Sequence, residues 1–287
     1  MNKSRTLKSI FAILAVSLSL ASCDKIEQDN YIVFSGAAGE WFDGNGVSDH
    51  SQRAIIEKYT GVRCVNCPNA DIAINDAVAG YGDKLIAVAI HDSSVFTRPI
   101  GQTPCLSTPD GDAWSHFFGV YAAGQYPTAI INRTLNGNAW DLFTPTSGIN
   151  SRVDNIIGQT AQVALDVDAH NNNSTVDITV NLEFLQSVGS DLTLTLLLIE
   201  DGLVVTQRQP DGSDDENYVH NHVLRDVITD VWGADIECTG NSGEKRIAQF
   251  QYTPTSSDWK LSNCHIIAFV SDKATKQILN AAQSEIE

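Results

Sequence analysis

Cys64 and Cys67 are the residues whose types and spacing most directly suggest chemistry. They follow the run Ile55-Ile56-Glu57-Lys58-Tyr59-Thr60 and lead into Pro68 and an amphipathic pattern. A Cys-x-x-Cys pair at a strand-to-helix junction is the mark of a thiol–disulfide site. Cys64 falls at the mouth of the helix, where free N–H groups and the macrodipole stabilise a thiolate. The thiolate is the attacking species, so Cys64 is the candidate nucleophile and Cys67, one turn on, the resolving thiol. Pro68 occupies the first turn, where a missing N–H costs least. Arg63 adds positive potential if its side chain turns toward the sulfur.

Other readings of the pair stay open. In an exported protein it can be a structural disulfide. As a zinc site it needs two further ligands, and with no second Cys-x-x-Cys these would be scattered histidines such as His91 or His116. Glu57 and Lys58 read as a solvated charge pair, the other reading being a buried acid that assists proton transfer to the resolving cysteine. His91 ends a strand at the edge where sites on α/β sheets gather, yet reads as a satisfied or exposed histidine. Cys105 lies in a long loop, as a free thiol or a third redox cysteine. Cys238 and Cys264 are expected to form a structural disulfide, contributing roughly 3 kcal/mol. His220 and His222 read as a polar sheet face rather than a metal pair. The acidic stretch 211–216 lacks the ordered spacing of a calcium loop and reads as a solvated turn.

The elements that must position the cysteines are legible in outline. Residues 53–60 read as a buried strand. Ala70, Ala73, Ile74, Ala77 and Val78 recur at helical spacing, with Gly80 and Gly82 as the stop. Leu85 to Ile90 is an apolar run of the kind buried on both faces. Together these predict one βαβ unit, right-handed by rule. Residues 93–112 read as a long loop, 113–121 as a short helix and 128–132 as a strand. Asn136-Gly137 marks a hairpin turn, and Ile149, Val153, Ile156 and Ile157 form the stripe of a helix ending at Gly158. Beyond residue 160 the period changes to two. Val163 to Val167, Val176 to Phe184, Leu192 to Leu198 and Ala248 to Tyr252 alternate, although Leu197 and Ile199 make the other face of the third run apolar too, and Ile266 to Val270 reads as the final core strand. This predicts an all-β immunoglobulin-like sandwich after an α/β domain. The expected division is 1–22, 23–50, 51–160 and 161–287.

The first residues address the chain. Lys3, Arg5 and Lys8 precede an apolar stretch from Ile10 to Leu20, too short to span a bilayer as a helix. Leu20-Ala21-Ser22-Cys23 resembles a bacterial lipobox, which implies cleavage before Cys23 and its acylation; the other reading is an ordinary signal peptide. Residues 24–30 form a polar tether, or an acidic surface-export signal. Removing residues 1–22 leaves 265 residues with 15 basic and 35 acidic side chains, a net charge of −20. That balance lacks the basic footprint nucleic-acid binding requires.

Thr60-Gly61, Cys64-Val65-Asn66-Cys67-Pro68, Tyr126-Pro127-Thr128 and an alternating β region ending in Ala268-Phe269-Val270 resemble the outer membrane lipoprotein family named for its 28-kilodalton member. The resemblance implies an outer membrane lipoprotein, periplasmic or surface-exposed, held through lipid on Cys23. The 51–160 region also resembles the thioredoxin superfamily. That implies a cis Tyr126–Pro127 bond facing the cysteines, with the Tyr126 backbone offered to a substrate strand. Arg63 stands where thioredoxins carry tryptophan, and proline follows the pair instead of lying within it. Thiol–disulfide exchange on the thiols or disulfides of exported proteins is the leading expectation, without a cofactor. A redox-inert binding or adhesion lipoprotein is the alternative.

Overall fold

The computed structural model describes residues 39–189 and 191–287. The expected signal peptide, Cys23 and the tether lie outside the described residues. The first part contains β1 (Glu40–Asp43), β2 (Ala54–Thr60), α1 (Cys67–Tyr81), β3 (Leu85–His91), α2 (Pro109–Phe117), α3 (Val120–Ala123) and β4 (Thr128–Ile131). The hairpin β5 (Leu135–Asn136) and β6 (Ala139–Trp140) leads to α4 (Ile149–Ile157). Three long strands follow, β7 (Val163–Asn172), β8 (Thr175–Phe184) and β9 (Leu192–Glu200). Four short pieces then form an arm: β10 (Leu203–Val204), β11 (Gln207–Arg208), β12 (Asp214–Asp215) and β13 (Val219–His220). The chain closes with β14 (Val223–Val227), β15 (Ala234–Asp235), β16 (Lys245–Tyr252), β17 (Cys264–Asp272) and β18 (Ile278–Glu285). The fold is mostly sheet with few helices. Among the described residues no helix is long and apolar enough to cross a membrane.

One large sheet runs β18-β17-β9-β14-β3-β2-β4, with β15 alongside β9. β3 is parallel to β2, and β14 joins its other edge, also parallel. The sheet therefore passes without a break from the βαβ unit into the strands beyond residue 160. A second sheet, β1-β16-β8-β7, packs against part of it. The core between the two sheets contains Leu165, Val180, Leu182 and Phe184 facing Leu194, Leu196, Ile266 and Ala268, which is the sandwich part of the fold. Strict in–out alternation in β8 (Val176, Ile178, Val180, Leu182 and Phe184 all buried) places one face of that strand on this core.

β9 is buried along its whole length because it has two apolar neighbours. Leu194, Leu196 and Leu198 face the second sheet, while Leu197 and Ile199 face the layer built on Trp114 and Phe118. That layer also covers Ile55, Tyr59, Ile86 and Val88. On the opposite face of β2–β4, α1 and α4 supply Ile74, Ala77, Val153 and Ile156.

Several boundaries differ from the sequence reading. The helix expected over 113–121 begins earlier, because the Thr108 side chain caps it by accepting from Gly111 N–H at 3.0 Å. It breaks at Gly119, whose φ of 79° is a left-handed conformation that favours glycine. β17 is not the last strand, since β18 pairs beside it. β1, unmarked by alternation, is recruited through backbone pairing with β16.

Cys238 and Cys264 are not bridged; both are free thiols. Register explains why. Cys264 pairs with Glu200 at one end of β9, whereas Asp235, three residues before Cys238, pairs with Thr193 near the other. At about 3.3 Å per residue the two ends lie roughly 20 Å apart, far beyond disulfide reach. Burial pushes the Cys264 thiol up to about 12.

Trp114 ties the halves together. It is wholly buried, and its indole N–H donates to Val231 carbonyl at 2.9 Å. Trp114→Ala is expected to destabilise the protein by about 3–5 kcal/mol. Urea unfolding should show a lower midpoint for the sheet on both sides of residue 160, and an unchanged midpoint would contradict the shared core.

Candidate functional site

β2 delivers its last residue, Thr60, into a tight loop, Gly61 to Asn66, before α1. Cys64 N–H donates to Gly61 carbonyl at 3.0 Å, and Cys67 N–H to Cys64 carbonyl at 3.2 Å. These bonds fold the loop so that Cys64 and Cys67 form a disulfide across one helical turn, with Cα atoms 5.4 Å apart. Cys64 is 2% exposed and Cys67 0%. Val65 and Asn66, between them, are exposed.

Gly61 is required by close approach. A Cβ there would lie 2.5 Å from Phe96 carbonyl oxygen. That carbonyl accepts from Arg63 N–H at 2.7 Å, and the Phe96 ring packs on Tyr126 with centroids 5.2 Å apart. Phe96 thus links the cysteine loop to the Tyr126–Pro127 loop, whose peptide bond is cis. The Tyr126 hydroxyl donates to Asp92, which also accepts from Ser115 hydroxyl at 2.5 Å. Burial and the Asp92 carboxylate raise the Tyr126 phenol. Arg63 does not turn toward the sulfur. Its guanidinium donates to Arg98 and Pro99 carbonyls at 2.8 and 2.5 Å.

The Glu57–Lys58 pair is not solvated; both side chains are buried. Glu57 accepts two bonds from Arg133, at 2.9 and 2.7 Å, and the guanidinium lies against Trp114, Phe118 and Phe269. Lys58 points to the other face and pairs with Asp71 of α1. Burial pulls the Lys58 ammonium down to about 7, and contact with the Asp71 carboxylate works against that pull. Asp71 also accepts from Tyr218 hydroxyl at 2.8 Å. Beside them lies a cavity of about 20 Å³ lined by Lys58, Asp71, Asn75, Ala89, Val219 and His222, a volume that admits about one water.

The arm between β9 and β14 covers the loop. Gln207, itself buried, donates through its side-chain amide to Cys64 carbonyl at 3.1 Å and Gly61 carbonyl at 3.4 Å. Arg208 N–H donates to Val62 carbonyl at 2.8 Å. Val205 packs with Val62, Leu106 and Val223. Sequence reasoning missed these residues because the arm has only two-residue strands and no sustained period, and its acidic stretch 211–216 read as a solvated turn and nothing more.

The remaining candidates separate. Cys105 is not without a partner, and its sulfur lies 3.0 Å from the Ser107 hydroxyl oxygen. His116 stacks on Tyr121 at 4.0 Å. His220 donates from Nε2 to Val205 carbonyl at 3.0 Å, while His222 has a φ of 59° and lies beside Asp201, so the two do not share a strand face. His91 is buried edge-on to His220 and, among the described residues, neither ring nitrogen has a hydrogen-bond partner. Among the described residues no group of three or more His, Cys, Asp or Glu side chains is arranged to hold a metal.

The sequence pattern of the family described as Outer membrane protein Omp28 matches residues 115–287. The chain belongs to the Omp28 family. It is thereby an outer membrane protein. The Omp28 match begins beyond both cysteines, so membership carries location and not the chemistry of the pair. A solved structure of HBP35 of Porphyromonas gingivalis has TM-score 0.66 and 15% identity, over 84% of this chain and 77% of that one. Protein AGR_C_4864 from Agrobacterium tumefaciens has TM-score 0.50 and 17% identity, over 83% and 95%. Both show likeness of fold alone. A domain of the outer membrane lipoprotein Omp28 from P. gingivalis has TM-score 0.31 and 19% identity, over 45% and 91%. No curated protein matches the chain.

The buried histidines make a pH prediction. Burial lowers His91, and lowers His220 to about 4. Both titrate near 6.5 when unfolded. The unfolded chain therefore binds more protons between those values, and stability falls as pH drops from about 6.5 toward 4. The limit is about 1.4 kcal/mol per pH unit for each ring. Urea unfolding between about pH 7.5 and 4.5 is expected to show a shallower acid limb in His220→Asn; equal slopes would contradict the assignment.

Proposed function

We propose that this Omp28-family protein is a lipid-anchored, thioredoxin-like oxidoreductase that exchanges disulfides with exported proteins through Cys64 and Cys67. The observation that carries this reading is the placement of the pair: a closed disulfide at the mouth of α1, joined through Phe96 to the Tyr126–Pro127 loop. The β2–α1–β3 unit with antiparallel β4 supports the thioredoxin-like description. The bond closes a loop so short that the chain-entropy model assigns it only about 2 kcal/mol. Stability is a weak reason for such a bridge, and exchange is a better one.

In the oxidised state a partner thiolate attacks Cys64 Sγ. The Cys64–Cys67 bond breaks, and Cys67 leaves as a thiolate at the helix terminus. A second partner thiol then displaces Cys64, giving a partner disulfide and the reduced pair. Run backwards, the same steps reduce a partner disulfide, with Cys64 as nucleophile. Tyr126 and Pro127 would form the wall against which the partner strand lies.

A second reading, a surface binding or adhesion lipoprotein with an immunoglobulin-like sandwich and a redox-inert scaffold, is favoured by the burial of both cysteines and by the arm's hydrogen bond to the Cys64 carbonyl. The reduction potential separates the two. Exchange expects a value in the oxidoreductase range with turnover of a model disulfide protein that Cys64→Ser abolishes. A potential below about −300 mV without turnover favours the scaffold.

Anchoring is assigned to lipid on Cys23. Cys23→Ser is expected to shift the protein from the membrane to the soluble fraction and to abolish fatty-acid labelling. A variant that stayed labelled and membrane-bound would place the anchor elsewhere.

A further inference from the structure

We infer that the arm of residues 203–220 is an autoinhibitory strap, and that the Cys64–Cys67 disulfide becomes available to a partner only when the strap lifts. This rests on the reading that the bond is meant to exchange, and concerns access to it.

The strap is latched on both sides of the disulfide. Ahead of it, Arg208 N–H and the Gln207 amide occupy the carbonyls of Val62, Cys64 and Gly61. Beyond it, Tyr218 hydroxyl holds Asp71. Asp71 is four residues after Cys67 on α1, so it lies on the same helix face one turn away. Val205 fills a small apolar cluster with Val62, Leu106 and Val223. Between the latches the tip is exposed and acidic, with Asp211, Asp214 and Glu216 facing solvent, and it makes a local hairpin of its own. An element pinned at its ends by a few hydrogen bonds and a minor cluster opens at lower cost than the sheet beneath it.

The strap also occupies what a partner would need. A chain that reaches Cys64 along the Tyr126–Pro127 wall meets the carbonyls of Gly61, Val62 and Cys64, which Gln207 and Arg208 already occupy. Opening therefore frees the sulfur and the backbone acceptors together.

The test is the rate at which dithiothreitol reduces the disulfide in the full-length lipoprotein in detergent. Two electrons pass from the dithiol, which cyclises to its own disulfide, to the Cys64–Cys67 bond, and the two new thiols are read as maleimide label on the peptide that carries Cys64 and Cys67, apart from Cys105, Cys238 and Cys264. The folded protein is expected to react roughly 100–1000-fold more slowly than the urea-unfolded chain. Gln207→Ala and Tyr218→Phe should each accelerate reduction about tenfold, and hydrogen exchange at Arg208 N–H should quicken in parallel. Reduction of the folded protein at the unfolded rate would overturn the strap. So would variants that keep their urea midpoint and show neither change. A gated disulfide without turnover in the potential assay would leave the strap standing and remove the exchange reading.

Discussion

A parallel strand buried on both faces must also satisfy both of its edges, and in this protein that requirement is met from far along the chain. β3 has no polar face to turn to water, and β2 covers only one of its edges. The other is taken by β14, through the Val223–Ala89 register and the bond from Ala89 N–H to His222 carbonyl at 2.7 Å. An unpaired amide at that depth costs as much as a lost hydrogen bond. Because β14 is antiparallel to β9, the chain must reverse between them. The arm is that reversal, and it crosses the end of the βαβ unit that carries the cysteines. The cover over the disulfide thus follows from pairing β3, before any question of function arises.

β2 is held with matching care on its two faces. Neighbouring strand residues point to opposite sides, so Glu57 and Lys58 need separate partners. Glu57 finds Arg133 among the aromatic rings of Trp114, Phe118 and Phe269, and Lys58 finds Asp71 on α1. Buried pairs of this kind add little net stability against apolar replacements, but losing one partner leaves a buried charge that costs about 3–5 kcal/mol. Their consequence is positional. They set the rotation of β2, and with it the direction in which the Gly61–Asn66 loop leaves the sheet.

What was legible in the sequence divides along the same line. The βαβ unit was readable because β2, α1 and β3 announce themselves by local period and local stops. β7 and β8 were readable because one face meets a core and the other water. Even the second apolar face of β9, carried by Leu197 and Ile199, was visible as an anomaly, and it marks a strand covered on both sides. The partnerships of charge were not readable. Glu57 and Arg133 lie 76 residues apart and Asp71 and Tyr218 lie 147 apart, so beside each other Glu57 and Lys58 look like an ordinary solvated pair. Cys238 and Cys264 misled for the converse reason. Cysteine counting carries no register, and register puts them at opposite ends of β9.

The disulfide is therefore poised between two constraints that the fold does not separate. The helix terminus and the loop of Gly61, Cys64 and Cys67 provide the geometry of exchange, and the sheet's need to complete β3 draws the arm across it. A structural bridge would gain from that cover, because buried sulfurs resist attack. An exchanging bridge would need the cover to be weaker than the sheet that imposes it. The arm meets that condition. Its strands are two residues long, its tip is exposed and bonded only to itself through the Arg208–Asp214 pair, and its hold on the loop is a side-chain amide, one backbone N–H and the packing of Val205 on Val62. β14, by contrast, is locked between β3 and β9 with Val223 and Leu224 buried. The chain can release the arm and keep the sheet, so closure of the site in the resting fold is compatible with its use.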